Sequence, residues 1–174
     1  MKTLNWTDST IDSRDIIERY ENLKGDYDDL LDTLKNAQYS YNLYNDKCAC
    51  SVEFDQKVFD EDLIELQKSI DNAQEELDQF NQSFEKDEMD TLADIIKQGE
   101  QSPDWNYGET LINSDYFTDY TRELINDCYE LPQELTSGKW PYCHIKVDYE
   151  EAAYQLKDDY FTIDIEDQTF YIRA

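Results

Sequence analysis

The residues of this chain best equipped for chemistry are few and scattered. One histidine, His144, follows Cys143, and Cys48, Cys50 and Cys128 are the remaining thiols. These are zinc-binding types, but Cys48-Ala49-Cys50 is one residue short of the usual C-x-x-C and no second pair follows. No metal and no cofactor is therefore expected, and two connector cysteines plus two half-buried ones is the plainer reading. The glycines (Gly25, Gly99, Gly108, Gly138) are isolated, so no loop can cradle a phosphate. No Ser or Cys stands in a motif with a second base. No catalytic residue is expected, and the chain reads as a non-enzyme.

Carboxylates are the one abundant reactive group. Forty-two Asp and Glu face fifteen Lys and Arg, a formal net charge of −27 in 174 residues. The acids run throughout: residues 1–100 hold 26 acids and 10 bases, residues 101–174 hold 16 and 5. Solubility needs a net charge of only about 2–8 in a small domain. The excess costs stability through self-repulsion, repels nucleic acid and anionic membrane, and attracts surfaces built for polyanions. The acids lie on helical patterns rather than in a loop with a central glycine, so no EF-hand is expected.

Apolar periodicity shows what must position these acids. A short helix is expected over 12–23, capped by Asp12 or Ser13 and weakened or ended by Gly25. Tyr27, Leu30, Leu34, Ala37, Tyr41 and Tyr44 then follow 3,4 spacing, as do Leu63, Leu66, Ile70, Ala73, Leu77, Phe80 and Phe84. Each is a heptad seam. With a connector from Asn45 to Phe59, they predict an antiparallel coiled-coil hairpin over 26–85, flanked by short helices in 1–25 and 86–100. A second chain pairing through the same seam, a homodimer, stays open. Helix 87–98 carries Met89, Leu92, Ala93 and Ile96 inward and stops at Gly99. A C-terminal α+β domain over 101–174 is expected. It has an extended piece in 107–112, a helix from Asn113 or Ser114 to Tyr129, a helix over 148–157 with Ala152, Ala153 and Leu156 inward, and a β-hairpin turning near Glu166-Asp167. The fold class is α+β, mainly helical.

The arms leave Asp26, Asp28, Asp29 and Asp32 on one outer face and Asp60, Glu61, Asp62, Glu65, Asp71, Glu75, Glu76 and Asp78 on the other. Asp148, Glu150, Glu151, Asp158 and Asp159 line the helix near 148–159. These are the candidate contacts for a partner. A duplex carries one charge per about 1.7 Å, so 27 charges match roughly 13–14 base pairs. An arm of about 20 residues is roughly 30 Å long, a stiff rod on which carboxylates stand in for phosphates before a Lys- and Arg-lined channel. Ordinary coiled coils interleave Lys with Glu; these arms hold Lys35 and Lys68 in their seam regions. The competing reading is a coiled-coil adaptor or oligomerisation module whose charge serves solubility.

Three stretches carry a resemblance: residues 12–23 (DSRDIIERYENL), 103–124 (PDWNYGETLINSDYFTDYTREL) and 139–173 (KWPYCHIKVDYEEAAYQLKDDYFTIDIEDQTFYIR). With the aromatic order Trp105, Tyr107, Gly108, Tyr116, Phe117, Trp140, Pro141, Tyr171, they resemble acidic phage and prophage antirestriction proteins, DNA mimics of the ArdA type. The resemblance implies a protein acting in the host cytoplasm on a DNA-binding defence enzyme: a restriction–modification complex, a CRISPR effector or another nuclease. It implies no catalytic residues, and the aromatic positions are expected in the C-terminal core. The absence of a leader at Met1–Thr10 and of any run of about 20 apolar residues agrees with a cytoplasmic expectation.

Overall fold

The computed structural model describes residues 4–49, 56–130 and 132–174. The described chain is mainly helical with one four-stranded antiparallel sheet. It divides into two compact units, residues 19–93 and residues 1–18 with 94–174.

The unit of 19–93 is built on the helical hairpin. Helix α1 spans Ser13–Ala49 and helix α2 spans Gln56–Asn81. Leu34, Ala73 and Leu77 form its buried cluster, with Tyr27, Leu30, Leu31 and Ile70 packed against it. Tyr27 meets Phe80 with ring centroids 5.5 Å apart, and the Tyr44 hydroxyl donates to Asp62. These partners run in opposite directions along the two helices, so the seams mate within one chain, antiparallel, as the heptads predict. The exception is Phe84. Helix α2 ends before it, and Phe84 opens helix α3 (Phe84–Gly99) with 77% of its surface exposed. The central connector residues 50–55 lie outside the described residues. In the same unit Arg19 of α1 forks onto Glu88 of α3, donating from Nε at 2.9 Å and Nη2 at 2.5 Å. That hydrogen bonding holds the guanidinium above its ordinary pKa.

Gly25 does not end a helix. It lies inside α1, so the short helix expected over 12–23 and the first arm of the hairpin are one element of 37 residues. A single interior glycine costs about 1 kcal/mol relative to alanine, and the packed faces on either side outweigh that. A Cβ at Gly25 would meet nothing within 4 Å. Gly25→Ala should therefore stabilise the unit by about 0.5–1 kcal/mol. A raised midpoint in urea, with unchanged slope, is the expected readout.

The other unit is organised by strands β1 (Thr10–Asp12), β2 (Thr110–Asn113), β3 (Tyr160–Ile165) and β4 (Gln168–Arg173), in the order β1-β2-β4-β3. The predicted terminal hairpin is β3–β4, turning through Glu166 and Asp167 with Glu166 at φ 52°. Alternation places Ile11, Leu111, Ile163, Ile165, Phe170 and Ile172 on one face, all buried. On the other face Ile112 packs with Phe117 of α5 (Phe117–Cys128) and Ala153 of α7 (Tyr149–Leu156), flanked by Tyr120, Leu156, Tyr160 and Tyr171. Asp148 caps α7 by accepting the Glu151 amide at 3.0 Å.

Two short elements precede β2 and α7: α4 (Trp105–Gly108), where an extended segment was expected to begin, and α6 (Gln133–Thr136). Ser13, an expected cap, is instead a buried tie. Its Oγ donates to the Trp105 carbonyl at 2.6 Å and accepts the Glu109 amide at 2.8 Å. Asp12 serves the helix start by accepting the Arg14 amide at 2.9 Å.

Candidate polyanion surface

At 3.6 residues per turn each residue turns the helix by about 100°. Seven of the α2 candidates (Asp60, Glu61, Glu65, Asp71, Glu75, Glu76 and Asp78) then fall within an arc of about 160° centred opposite the seam. All seven are exposed. Asp62 stands apart, at the flank of the seam, half-buried beneath the Tyr44 hydroxyl. On α1, Asp28, Asp29 and Asp32 also face outward, and Asp26 lies nearer the seam; all four are exposed.

The register gathers eight of the seventeen candidates at one end of the hairpin. Because Tyr27 stands beside Phe80, and Leu34 beside Ala73 and Leu77, Asp26, Asp28, Asp29 and Asp32 lie alongside Asp71, Glu75, Glu76 and Asp78. Eight acids thus occupy about 15 Å of axis. The base among them is Lys35, which pairs with Asp32 at 2.9 Å. A net of about seven charges compares with about nine for duplex DNA over the same length. The whole hairpin is thinner. Residues 26–49 and 56–81 hold thirteen acids and four bases, net −9, along a rod of about 39 Å where a duplex would carry about 23. The duplex-like density is local, four to five base pairs long, rather than spread over the 13–14 that the total charge suggests.

What orients these acids is a feature the sequence reading passed over. Gln67 Nε2 donates to Asp71 and Gln74 Nε2 to Asp78, each at 2.9 Å, and Gln79 Nε2 reaches Glu75 at 3.4 Å. On α7, Gln155 does the same for Glu151 at 2.9 Å. Such pairs lie four residues apart on one face and stabilise a helix by about 0.2–0.5 kcal/mol each. A lysine there would give a similar tether and cancel the charge. Glutamine restrains the carboxylate and leaves it ionised. The signal was legible as Gln and acid at i, i+4.

The remaining candidates belong to the other unit. Asp148 is occupied as the α7 cap and Glu151 is held by Gln155, whereas Glu150, Asp158 and Asp159 are exposed. Charge divides evenly between the units. Residues 19–93 hold 20 acids and 7 bases, and the remaining 99 residues hold 22 and 8.

This unit also holds a polar cleft of about 320 Å³ lined by Tyr107, Glu109, Tyr120, Tyr160 and Arg173 among others. The Tyr160 and Tyr120 hydroxyls lie 3.4 Å apart. Burial, and then that hydrogen bond, push the Tyr160 phenol well above its ordinary pKa. A phenol held protonated is a donor and not a base. Cys128 and Cys143 are exposed free thiols. Cys50 and the side chain of Cys48 lie outside the described residues, and among those described no three His, Cys, Asp or Glu converge on a metal position. Among the described residues no helix is long and apolar enough to cross a membrane.

The aromatic positions expected in the core divide. Trp105 and Phe117 are buried at 1% exposure and Tyr116 and Tyr171 are half-buried, but Tyr107 and Trp140 are each 81% exposed. Residue order along the chain specifies which aromatics recur, not which find a neighbour to cover them. Compared with known proteins, the chain matches no family model, no curated protein and no solved structure.

Proposed function

We propose that this protein is a DNA mimic that inhibits a DNA-binding defence enzyme of a bacterial host, a restriction–modification complex or a CRISPR effector. The observation that carries the reading is the hairpin end, where eight acids stand at a charge density near that of duplex DNA and three are restrained by glutamine rather than neutralised by lysine. A channel lined with Lys and Arg meets charge-assisted acceptors where it takes phosphates. Opposite fields speed the encounter, and occupation of the channel excludes DNA. No step requires a catalytic group on this chain. The adaptor reading needs a free seam, whereas Leu34, Ala73 and Leu77 are buried against one another within the chain.

The test is capture from a bacterial lysate on immobilised protein at low and high salt, with mass spectrometry of the eluate. Recovery of a DNA-binding defence enzyme at low salt, and its loss at high salt, is the expected result. A captured partner with no DNA-binding activity would overturn the reading.

A further inference from the structure

Strand β3 stands at the rim of the sheet and is paired with β4 alone. Bonding alternates along an antiparallel pair, and two contacts fix its phase here. The Ser114 amide donates to the Thr169 carbonyl at 2.9 Å, so Thr169 faces away from its β3 partner Asp164. Past the other end, the Ala174 amide donates to the Asp159 carbonyl at 3.0 Å. Asp159, Phe161, Ile163 and Ile165 therefore bond toward β4, whereas Tyr160, Thr162 and Asp164 turn their amides and carbonyls to the open side. Among the described residues no hydrogen bond reaches those outward groups. Proteins usually guard such a rim with a very short strand, a lysine or a proline. The opposite edge, β1, is guarded in the first way, with three residues. Strand β3 has six, without lysine or proline. Ile163 and Ile165, 2% and 1% exposed, hold it against the core, so little ordering remains to oppose the addition of a strand.

Backbone and charge together decide what this edge can take. A row of free amides and carbonyls is matched by another extended backbone; a helix has its own groups bonded internally. Residues 157–167 hold five acids (Asp158, Asp159, Asp164, Glu166 and Asp167) and one base, Lys157, a net of −4. Lys157 is drawn inward, its Nζ 4.8 Å from the Tyr171 ring centroid. Asp164, exposed in mid-strand, takes a neutral donor, the Thr169 hydroxyl at 2.6 Å, which leaves its charge uncancelled. A second copy added along this edge would set −4 against −4 at a strand spacing of about 4.8 Å. A strand bearing Lys or Arg reverses the sign of that contact. We propose that the open edge of β3 receives an extended, Lys- or Arg-bearing segment of a partner protein, which adds to the sheet as a further strand. The edge belongs to a different unit from the acidic hairpin end, and its fate is independent of the DNA-mimic reading.

The test is amide hydrogen exchange by NMR on the full chain, with a synthetic peptide of about ten residues alternating Lys with Val or Thr as the probe. A twin peptide N-methylated throughout keeps the charge and donates no backbone bond. The peptide should slow exchange of the Thr162 and Asp164 amides about tenfold or more, and the twin should not. Thr162→Pro removes an outward amide without touching the β4 ladder and should abolish that protection. Asp164→Lys should weaken binding several-fold, and circular dichroism checks the fold of both variants. Where Thr162→Pro fails to fold, the twin peptide and Asp164→Lys still decide. Binding that leaves the two amides unprotected overturns the proposal, as does equal protection by the twin or undiminished binding to Asp164→Lys. So do amides already slow in the free, dilute protein, which would mean that the chain covers its own edge. Protection that grows with protein concentration alone would assign the edge to a second copy instead.

Discussion

Reversing four acids at the duplex-dense end of the hairpin, in Asp28→Lys/Asp29→Lys/Glu75→Lys/Asp78→Lys, should abolish inhibition of the target enzyme while leaving the protein folded. Each lost contact of an exposed carboxylate removes about 0.5 kcal/mol, and each introduced lysine adds a larger cost through repulsion from a basic channel. The combined loss should exceed a thousandfold in affinity, about 4 kcal/mol. A single neutralisation such as Asp71→Asn should change affinity by less than about threefold, since one charge among many in a solvated array is worth little. The reversal also relieves repulsion among eight acids, so the thermal midpoint should hold or rise. Loss of activity with no loss of stability separates a surface role from a folding role. The measurement is inhibition of DNA cleavage by purified type I restriction–modification and Cas9-type complexes, with circular dichroism on the same samples. If the reversed variant inhibits as well as the native chain, the hairpin end is not the contact.

The second large effect concerns Gly99. A Cβ there would lie 2.4 Å from the Trp105 ring, and that ring is 1% exposed in the core of its unit. The Trp105 main chain is held by its carbonyl accepting from Ser13 Oγ at 2.6 Å, and its buried ring has little room to give. Gly99→Ala should therefore cost about 3 kcal/mol by overpacking, a large share of the roughly 5–15 kcal/mol available to a domain. Gly25→Ala, chemically the same change, is expected to stabilise. A chemical denaturation series on the two variants should move the midpoint in opposite directions. Pairing Gly99→Ala with Trp105→Phe should recover about 1 kcal/mol or more relative to the sum of the single changes. Additivity would show that the strain lies elsewhere.

These two glycines also show where the sequence could be read and where it could not. Gly99 was expected to stop a helix and Gly25 to weaken or end one. Gly99 does lie at a helix end, but its role is to admit the face of Trp105, a contact no local pattern announces. Gly25 is carried through because tertiary packing on both sides exceeds its small propensity penalty. The heptads were legible because all thirteen seam positions repeat one period, and twelve of them are buried or half-buried. Phe84 fits the period but falls beyond the turn that ends α2. Strand β1 could not be seen. It has three residues, of which Ile11 alone is buried, and its partner Leu111 lies a hundred positions away. For the candidate surface, exposure of the acids followed directly from the seam. Their crowding at one end required the antiparallel register, which sets Asp26–Asp32 beside Asp71–Asp78. Trp140 was expected inside with the other aromatic positions that carry the resemblance; that unit buries Phe117, Phe170 and Trp105 and leaves Trp140 outside.

The central claim is competition with DNA through charge, and one titration addresses it. Affinity for a captured defence enzyme is measured across salt from about 0.05 M to about 0.3 M, with and without a duplex that the enzyme binds. The account predicts affinity falling more than tenfold over that range and displacement by duplex in simple competition. Affinity indifferent to salt, or a ternary complex of enzyme, duplex and this protein, would contradict it.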